Sequence, residues 1–295
     1  MTLKRLVNYP EEKTLNELER VSDRHELKVY TKIRVADVLP IENSGISDKQ
    51  YSYALRAHFD FVVVNSDFKP IFVVEFDGPS HSNSQQVQKD CYKNELCKRF
   101  DCPILRINLN YVSKKYRDMT ILSWIIDVYH FQIAFYEAQG KGYIPDDELF
   151  DPFFILTDST FPEKKFPYFL SRDVRISLQR LHKANQIKYP SSSGLISVDK
   201  NNVMRGIEYI QINDREGVSV ITAMRPQGFP VRFSDLLDEL LSIFLYEKLE
   251  SVLKGEASPK RVEEINQELL QYERDYRLLR AHSCGQVSFA FAGSA

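Results

Sequence analysis

Three carboxylates punctuate a strongly apolar part of the chain. Asp60 lies within HFDFVVV (His58 to Val64), and Glu75 and Asp77 close IFVVEFD (Ile71 to Asp77). Residues two apart in a strand share a face, so Glu75 and Asp77 point the same way. The intervening NSDFKP (Asn65 to Pro70) is turn-forming, which folds the two runs into an antiparallel hairpin and sets Asp60 roughly opposite Glu75. Three like charges at one sheet edge raise one another's pKa values unless a cation stands among them. Hard oxygen ligands suit Mg²⁺ or Mn²⁺, so the expectation is a divalent-metal site held by Asp60, Glu75 and Asp77. Such a site would suit phosphodiester hydrolysis, in which a metal polarises the phosphate and lowers the pKa of bound water.

The flanking residues extend the pattern. Gly78 lets the chain turn sharply after the strand, and His81 follows in the loop, within reach of the carboxylate edge. Asp90 and Lys93 are three apart and Lys89 and Lys93 four apart, so one helix face presents all three. A lysine there can orient the attacking water and stabilise charge on the phosphate. Arg106 interrupts an apolar strand and offers a planar fork for a phosphate, with Lys89 as a second phosphate contact. Taken singly each residue has a plainer role: a solvated strand cap for Asp60, a place at the surface or behind the ligands for His81, a solvated helix face for Lys89 and Lys93, packing or an internal salt bridge for Arg106. The joint pattern favours the site.

The elements that must position these groups are legible in outline. PEEKTLNELERVSD (residues 10–23) reads as a helix, with Pro10 in the first turn and Leu15, Leu18 and Val21 at helical spacing. Val29 to Ile41 alternates like a half-buried strand, and Glu42 to Gln50 reads as a loop. After the hairpin come a helix over Gln85 to Phe100 and a buried strand over Ile104 to Asn110. This order predicts an α/β sandwich with a mixed sheet. A long helix is expected from Tyr116 to about Ala138, and GKGYIPDDELFDP (Gly140 to Pro152) is the linker candidate. The chain therefore divides into a domain over 1–140 and a C-terminal α+β domain over 150–295. The latter has a helix near Val174 to Asn185, strands GIEYIQI and GVSVITAM, and closing helices over Ser234 to Leu253 and Pro259 to Ala281. The leucine-rich closing helices suggest a homodimer or a partner-protein surface. No chemistry is readable in this half, and His282-Ser283-Cys284 has no partner motif.

Bulk composition sets limits. The chain has 295 residues, 43% hydrophobic and 27% charged, which fits a globular protein with a sizeable core. The net charge of −2 means that nucleic-acid binding must rest on a locally basic surface. Cys91, Cys97, Cys102 and Cys284 lack metal-site spacing and are expected as free thiols in a reducing cytoplasm. Nothing at the start reads as a signal peptide. The most apolar run, Ile121 to Tyr136, carries Asp127 and His130 and falls short of the ~20 residues of a membrane span, so no membrane association is expected.

The run Asp60…Glu75-Phe-Asp77-Gly-Pro-Ser-His81…Lys89-Asp90-x-x-Lys93…Ile104-Leu-Arg106-Ile resembles the PD-(D/E)xK, or restriction-endonuclease-like, nuclease superfamily. It is most similar to a bacterial branch of uncharacterised domains related to very-short-patch-repair endonucleases, with an E-x-D-G-x-x-H…D-x-x-K pattern. The resemblance covers about residues 10–110. It implies a restriction-endonuclease-like mixed sheet flanked by helices, and a Mg²⁺- or Mn²⁺-dependent nuclease acting on DNA. Asp60 and Glu75 would be metal ligands, Asp77 and His81 would assist, and a first-helix glutamate, Glu11 or Glu12, would complete the site. The superfamily pattern places a lysine two residues after the acid, where this chain has Asp77. The lysine's role is expected to pass to Lys93, or to Lys89. The competing expectation is a nuclease fold that binds nucleic acid without cutting it. A place in bacterial defence against foreign DNA comes from family context alone.

Overall fold

The computed structural model describes residues 5, 7–78, 84–152 and 168–283. They form two compact units, Met1–Pro152 with Gln227–Val231, and Phe153–Pro226 with Arg232–Ala295. The chain is α/β, with helices flanking a sheet in each unit. Among the described residues no helix is long and apolar enough to cross a membrane.

The first unit opens with α1 (Tyr9–Ser22), started by a reciprocal capping box in which Asn8 and Glu11 each accept the other's backbone N–H at 3.0 Å. Strand β1 (Lys28–Arg34) leads into a one-turn helix α2 (Val35–Val38), then α3 (Asp48–Ala54) and β2 (His58–Val64). Next come β3 (Pro70–Phe76), α4 (Ser84–Arg99) and β4 (Ile104–Ile107). The four-stranded sheet has the order β1-β2-β3-β4, antiparallel in the first two pairs and parallel in the last. A parallel pair needs a crossover, and α4 supplies it. Val73 of β3 and Ile104 of β4 pack with Leu96 and Cys97 of α4, Phe59, Val62 and the α2–α3 segment in one buried cluster. Residues 227–231 lie along the far side of β4. The Ile104 amide donates to the Gly228 carbonyl at 2.8 Å, and a side chain at Gly228 would meet Ile104 Cγ2 at 2.7 Å, so only glycine fits this approach.

Four boundaries differ from the sequence reading. The strand expected over Val29 to Ile41 ends at Arg34, because the Val35 amide turns to the Ala57 carbonyl and Val35 and Leu39 reach the core from helical spacing. The loop expected to Gln50 already contains α3, whose start is an S-x-x-Q capping box, Ser47 with Gln50. The strand expected to Asn110 stops at Ile107, followed by α5 (Asn110–Ser113). Tyr116 is not helical: Lys115–Tyr116 (β5) pairs with Met119–Thr120 (β6) across Arg117 and Asp118, whose φ values of 52° and 62° are those of a primed hairpin turn. The long helix, α6 (Ile121–Gly140), starts only after this hairpin, at the Thr120 cap. Its polar residue Asp127 is fully buried and tied to Arg24 at 3.0 Å and His25 at 2.8 Å.

The second unit holds α7 (Arg172–Lys183), β7 (Ser193–Val198), β8 (Met204–Gln211), β9 (Glu216–Met224), α8 (Phe233–Leu253), β10 (Lys260–Arg261), α9 (Val262–Asp275) and β11 (Arg277–His282). Its five strands form an antiparallel sheet in the order β10-β9-β8-β7-β11. The last predicted helix thus ends at Asp275, and its expected tail pairs with β7 as a strand that the sequence reading does not anticipate. Leu245 and Leu249 of α8 pack with Ile210 and Val218, so these leucines serve the core of the unit.

Glu208 of β8 is fully buried and accepts from the Ser192 and Ser242 hydroxyls, with Asp238 and Arg175 close by. Burial pushes its pKa up to about 8. Because the folded value exceeds the unfolded one of ~4.3, the folded unit keeps a proton that the unfolded chain has lost. The resulting stability is complete below the unfolded value and declines by up to ~1.4 kcal/mol per pH unit until pH passes the folded value. Denaturant midpoints measured from pH 5 to 9 are expected to fall with pH for this unit, and Glu208→Gln is expected to flatten the decline. An equal slope in the variant would assign the decline to other groups.

Candidate active site

The β2–β3 ladder runs regularly from Val63↔Phe72 to Phe61↔Val74. The next opposed residues are Asp60 and Glu75, and here side chains replace the ladder. The Asp60 amide donates to Glu75 Oε1 at 3.2 Å, and the Phe76 amide donates to Asp60 Oδ2 at 2.9 Å. Each carboxylate thus reaches across to the other strand's backbone, which fixes the pair face to face where the hairpin opens.

On the other side of β2, the pairing with β1 skips from Thr31↔Phe61 to Ile33↔Phe59, leaving Lys32 beside Asp60. Lys32 has φ 56°, a left-handed conformation that costs a non-glycine residue on the order of 1 kcal/mol or more. Its ammonium bridges Glu11 Oε1 at 2.9 Å and Asp60 Oδ1 at 2.6 Å, joining α1, β1 and β2. Glu11 is therefore the first-helix glutamate that joins the cluster. Glu12 turns away to Arg5 at 2.5 Å.

Glu75 and Lys93 are both buried, at 5% and 8% exposure, and the Lys93 ammonium contacts Glu75 Oε2 directly. Burial holds the Glu75 carboxyl above the ordinary glutamate range; Lys93 opposes this shift and the charge of Asp60 adds to it. Val73, Glu75 and Asp77 share the face that meets α4, as strand alternation requires, but Asp77 does not join the Asp60–Glu75 pair. The parallel register sets Glu75 beside Arg106, and the Arg106 guanidinium takes Asp77 at 2.8 Å, Asn94 Oδ1 at 3.0 Å and Asp90 at 3.4 Å. At 8% exposure, Arg106 is an internal clamp between β4, β3 and α4 rather than an outward phosphate contact.

Of the three carboxylates expected to converge, Asp60 and Glu75 are brought together and Asp77 is drawn to Arg106. Each of the three is paired with a cation, Lys32, Lys93 or Arg106, brought by three different elements. Among the described residues no group of three His, Cys, Asp or Glu side chains stands assembled to hold a metal ion. The donor chemistry nevertheless fits one. Asp60 and Glu75 are hard oxygen donors on facing strands, and Lys32 is already lodged as a cation between Asp60 and a third carboxylate, Glu11.

Residues 3–123 are similar to a family model described as "Protein of unknown function (DUF2726)". That span is well under half of the chain, and it contains every residue named at this site. No curated protein and no solved structure matches the chain.

His81 lies outside the described residues. Lys89 is exposed on α4 one turn before Lys93, and both line an open depression of about 440 Å³ with Tyr53, Arg56, Ala57 and His58. Lys32, Arg56 and His58 are the site residues that sequence reasoning missed. Lys32 sits in a segment that reads as an ordinary alternating strand, and only the β1–β2 register sets it beside Asp60. Arg56 and His58 flank the start of β2, and their place beside Lys89 depends on how α4 crosses the sheet.

Proposed function

We propose that the first unit is a divalent-metal-dependent nuclease of the restriction-endonuclease-like type, hydrolysing phosphodiester bonds in nucleic acid, with DNA as the preferred substrate. The observation that carries the reading is the crossed Asp60–Glu75 pair at the open end of the hairpin, with a buried lysine against Glu75. Asp60 and Glu75 would hold Mg²⁺ or Mn²⁺, with Glu11 as a further oxygen donor; when bound, such an ion supplies a polarised phosphate and a water of lowered pKa. Lys93, whose ammonium contacts Glu75 Oε2, offers positive charge to a phosphate entering from the depression. Arg106 fixes the end of β3 through Asp77 and so keeps Glu75 aligned. The second unit would serve recognition of substrate or of a partner. The test is incubation of the full chain with single- and double-stranded DNA and RNA, with Mg²⁺ or Mn²⁺ and with EDTA. Products that appear only with the metal are expected, and no product from any substrate overturns the reading.

Lys32 has a defined part in this scheme. Its ammonium and a divalent ion would compete for Asp60 and Glu11, so Lys32→Gln is expected to tighten Mn²⁺ binding by roughly tenfold, one ~1.4 kcal/mol charge interaction. Calorimetric titration of the metal checks this, and unchanged or weaker binding would show that Lys32 does not compete.

The pairing of Asp60, Glu75 and Asp77 with Lys32, Lys93 and Arg106 favours a second reading, a nucleic-acid-binding module that keeps the fold without catalysis. It predicts salt-sensitive binding that survives Asp60→Ala and Glu75→Ala, with no product formed.

A further inference from the structure

The depression beside Lys93 draws its walls from two segments. Arg56 comes from the connection between α3 and β2, whose first residue is His58, and Lys89 comes from α4, one turn before Lys93. Four basic side chains therefore converge in a chain whose net charge is −2. Among the described residues no aspartate or glutamate lines it. Arg56 reaches back to α3, donating to the Ser52 carbonyl and hydroxyl, both at 3.0 Å. Among the described residues neither Arg56 nor Lys89 has a carboxylate partner. The contrast with the neighbouring cluster is sharp, since Lys32, Lys93 and Arg106 are all consumed by internal ion pairs. Uncompensated positive charge in a depression focuses potential outward and attracts an anion.

The chemistry of the walls narrows the anion. A guanidinium fork, an ammonium, an imidazole and the Tyr53 hydroxyl are donors suited to phosphate oxygens. Lys89 and Lys93 are four residues apart on one helix, so their Cβ atoms are ~5–6 Å apart, comparable to the spacing of successive phosphates on one strand. We infer that this depression is a phosphate subsite, taking a phosphodiester of a nucleic-acid strand next to the phosphate that meets Lys93 and Glu75. Arg56 and Lys89 grip it, and His58 and Tyr53 complete the wall. The register relative to the reacting phosphate rests on the nuclease reading; the binding itself does not. The open depression leaves room for chain on both sides of the phosphate, so an internal phosphodiester rather than a terminal phosphate is the expected occupant.

Fluorescence anisotropy of labelled oligonucleotides with the full chain in EDTA tests this without any cleavage. Arg56→Ala and Lys89→Ala are each expected to weaken binding by about tenfold at low salt and to reduce the slope of log K against log salt by about one. Lys141→Ala, at an exposed lysine beyond the end of α6, is expected to leave both unchanged. Strands with and without a 5′-phosphate are expected to bind equally. Wild-type binding by Arg56→Ala and Lys89→Ala, a loss no larger than that of Lys141→Ala, or no binding by the wild type overturns the subsite. A strong preference for the 5′-phosphorylated strand overturns the internal-diester assignment in favour of a terminal phosphate. Loss of binding in these variants together with inert wild-type protein would leave the subsite standing and remove the nuclease reading. Cleavage by wild type with unaltered binding in the variants would do the reverse.

Discussion

Lys93→Met is expected to lower the single-turnover cleavage rate on the order of 10²–10³-fold, the usual cost of removing one preorganised donor from developing phosphate charge. Binding of DNA in EDTA is expected to remain, because Arg56 and Lys89 line the depression independently. Methionine keeps the volume and apolar stem of the lysine, so Phe59, whose ring lies 5.6 Å from the Lys93 ammonium, keeps its packing. Lys93→Arg is expected to recover the rate only in part, since a planar fork cannot reproduce a point charge held against one carboxylate oxygen. Unchanged rates in both variants would reduce Lys93 to a structural ion pair.

The second large effect concerns stability. Arg106→Met removes the guanidinium bonded to Asp77, whose exposure is 7%, and strips Asp90 and Asn94 of a shared partner. Breaking a buried ion pair by deleting one member typically costs ~3–5 kcal/mol. Chemical denaturation monitored on the first unit is expected to show a loss of that size, and replacing Asp77 as well, in Asp77→Leu/Arg106→Met, is expected to recover most of it. A stable Arg106→Met protein with weakened DNA binding would instead make Arg106 a substrate contact, as its sequence context suggests.

These two residues also show where the sequence was informative. The hairpin is legible because His58–Val64 and Pro70–Phe76 are dense in β-branched and aromatic residues around a turn-forming segment. The turn position then fixes Asp60 opposite Glu75, and the structure adds that their carboxylates cross to each other's backbone. Lys93 is legible as a helix-face lysine following the strand. Asp77 is placed on the correct face by alternation, yet its partner comes from β4, and a parallel register between strands separated by a helix is not written in local spacing. The same limit hides Lys32, whose left-handed φ has no signal in KVYTKIR. Helix α3 is different: its S-x-x-Q cap is legible at Ser47 but lies within a polar stretch that resembles a loop. In the second unit the sheet depends on β11 pairing with β7, and no periodicity distinguishes Arg277–His282 from the end of the preceding helix.

The most direct measurement is plasmid and oligonucleotide cleavage with and without Mn²⁺, wild type beside Glu75→Ala. Metal-dependent products from the wild type and none from the variant are the expected result. Cleavage that continues in Glu75→Ala, or that ignores EDTA, would contradict a nuclease centred on the Asp60–Glu75 pair.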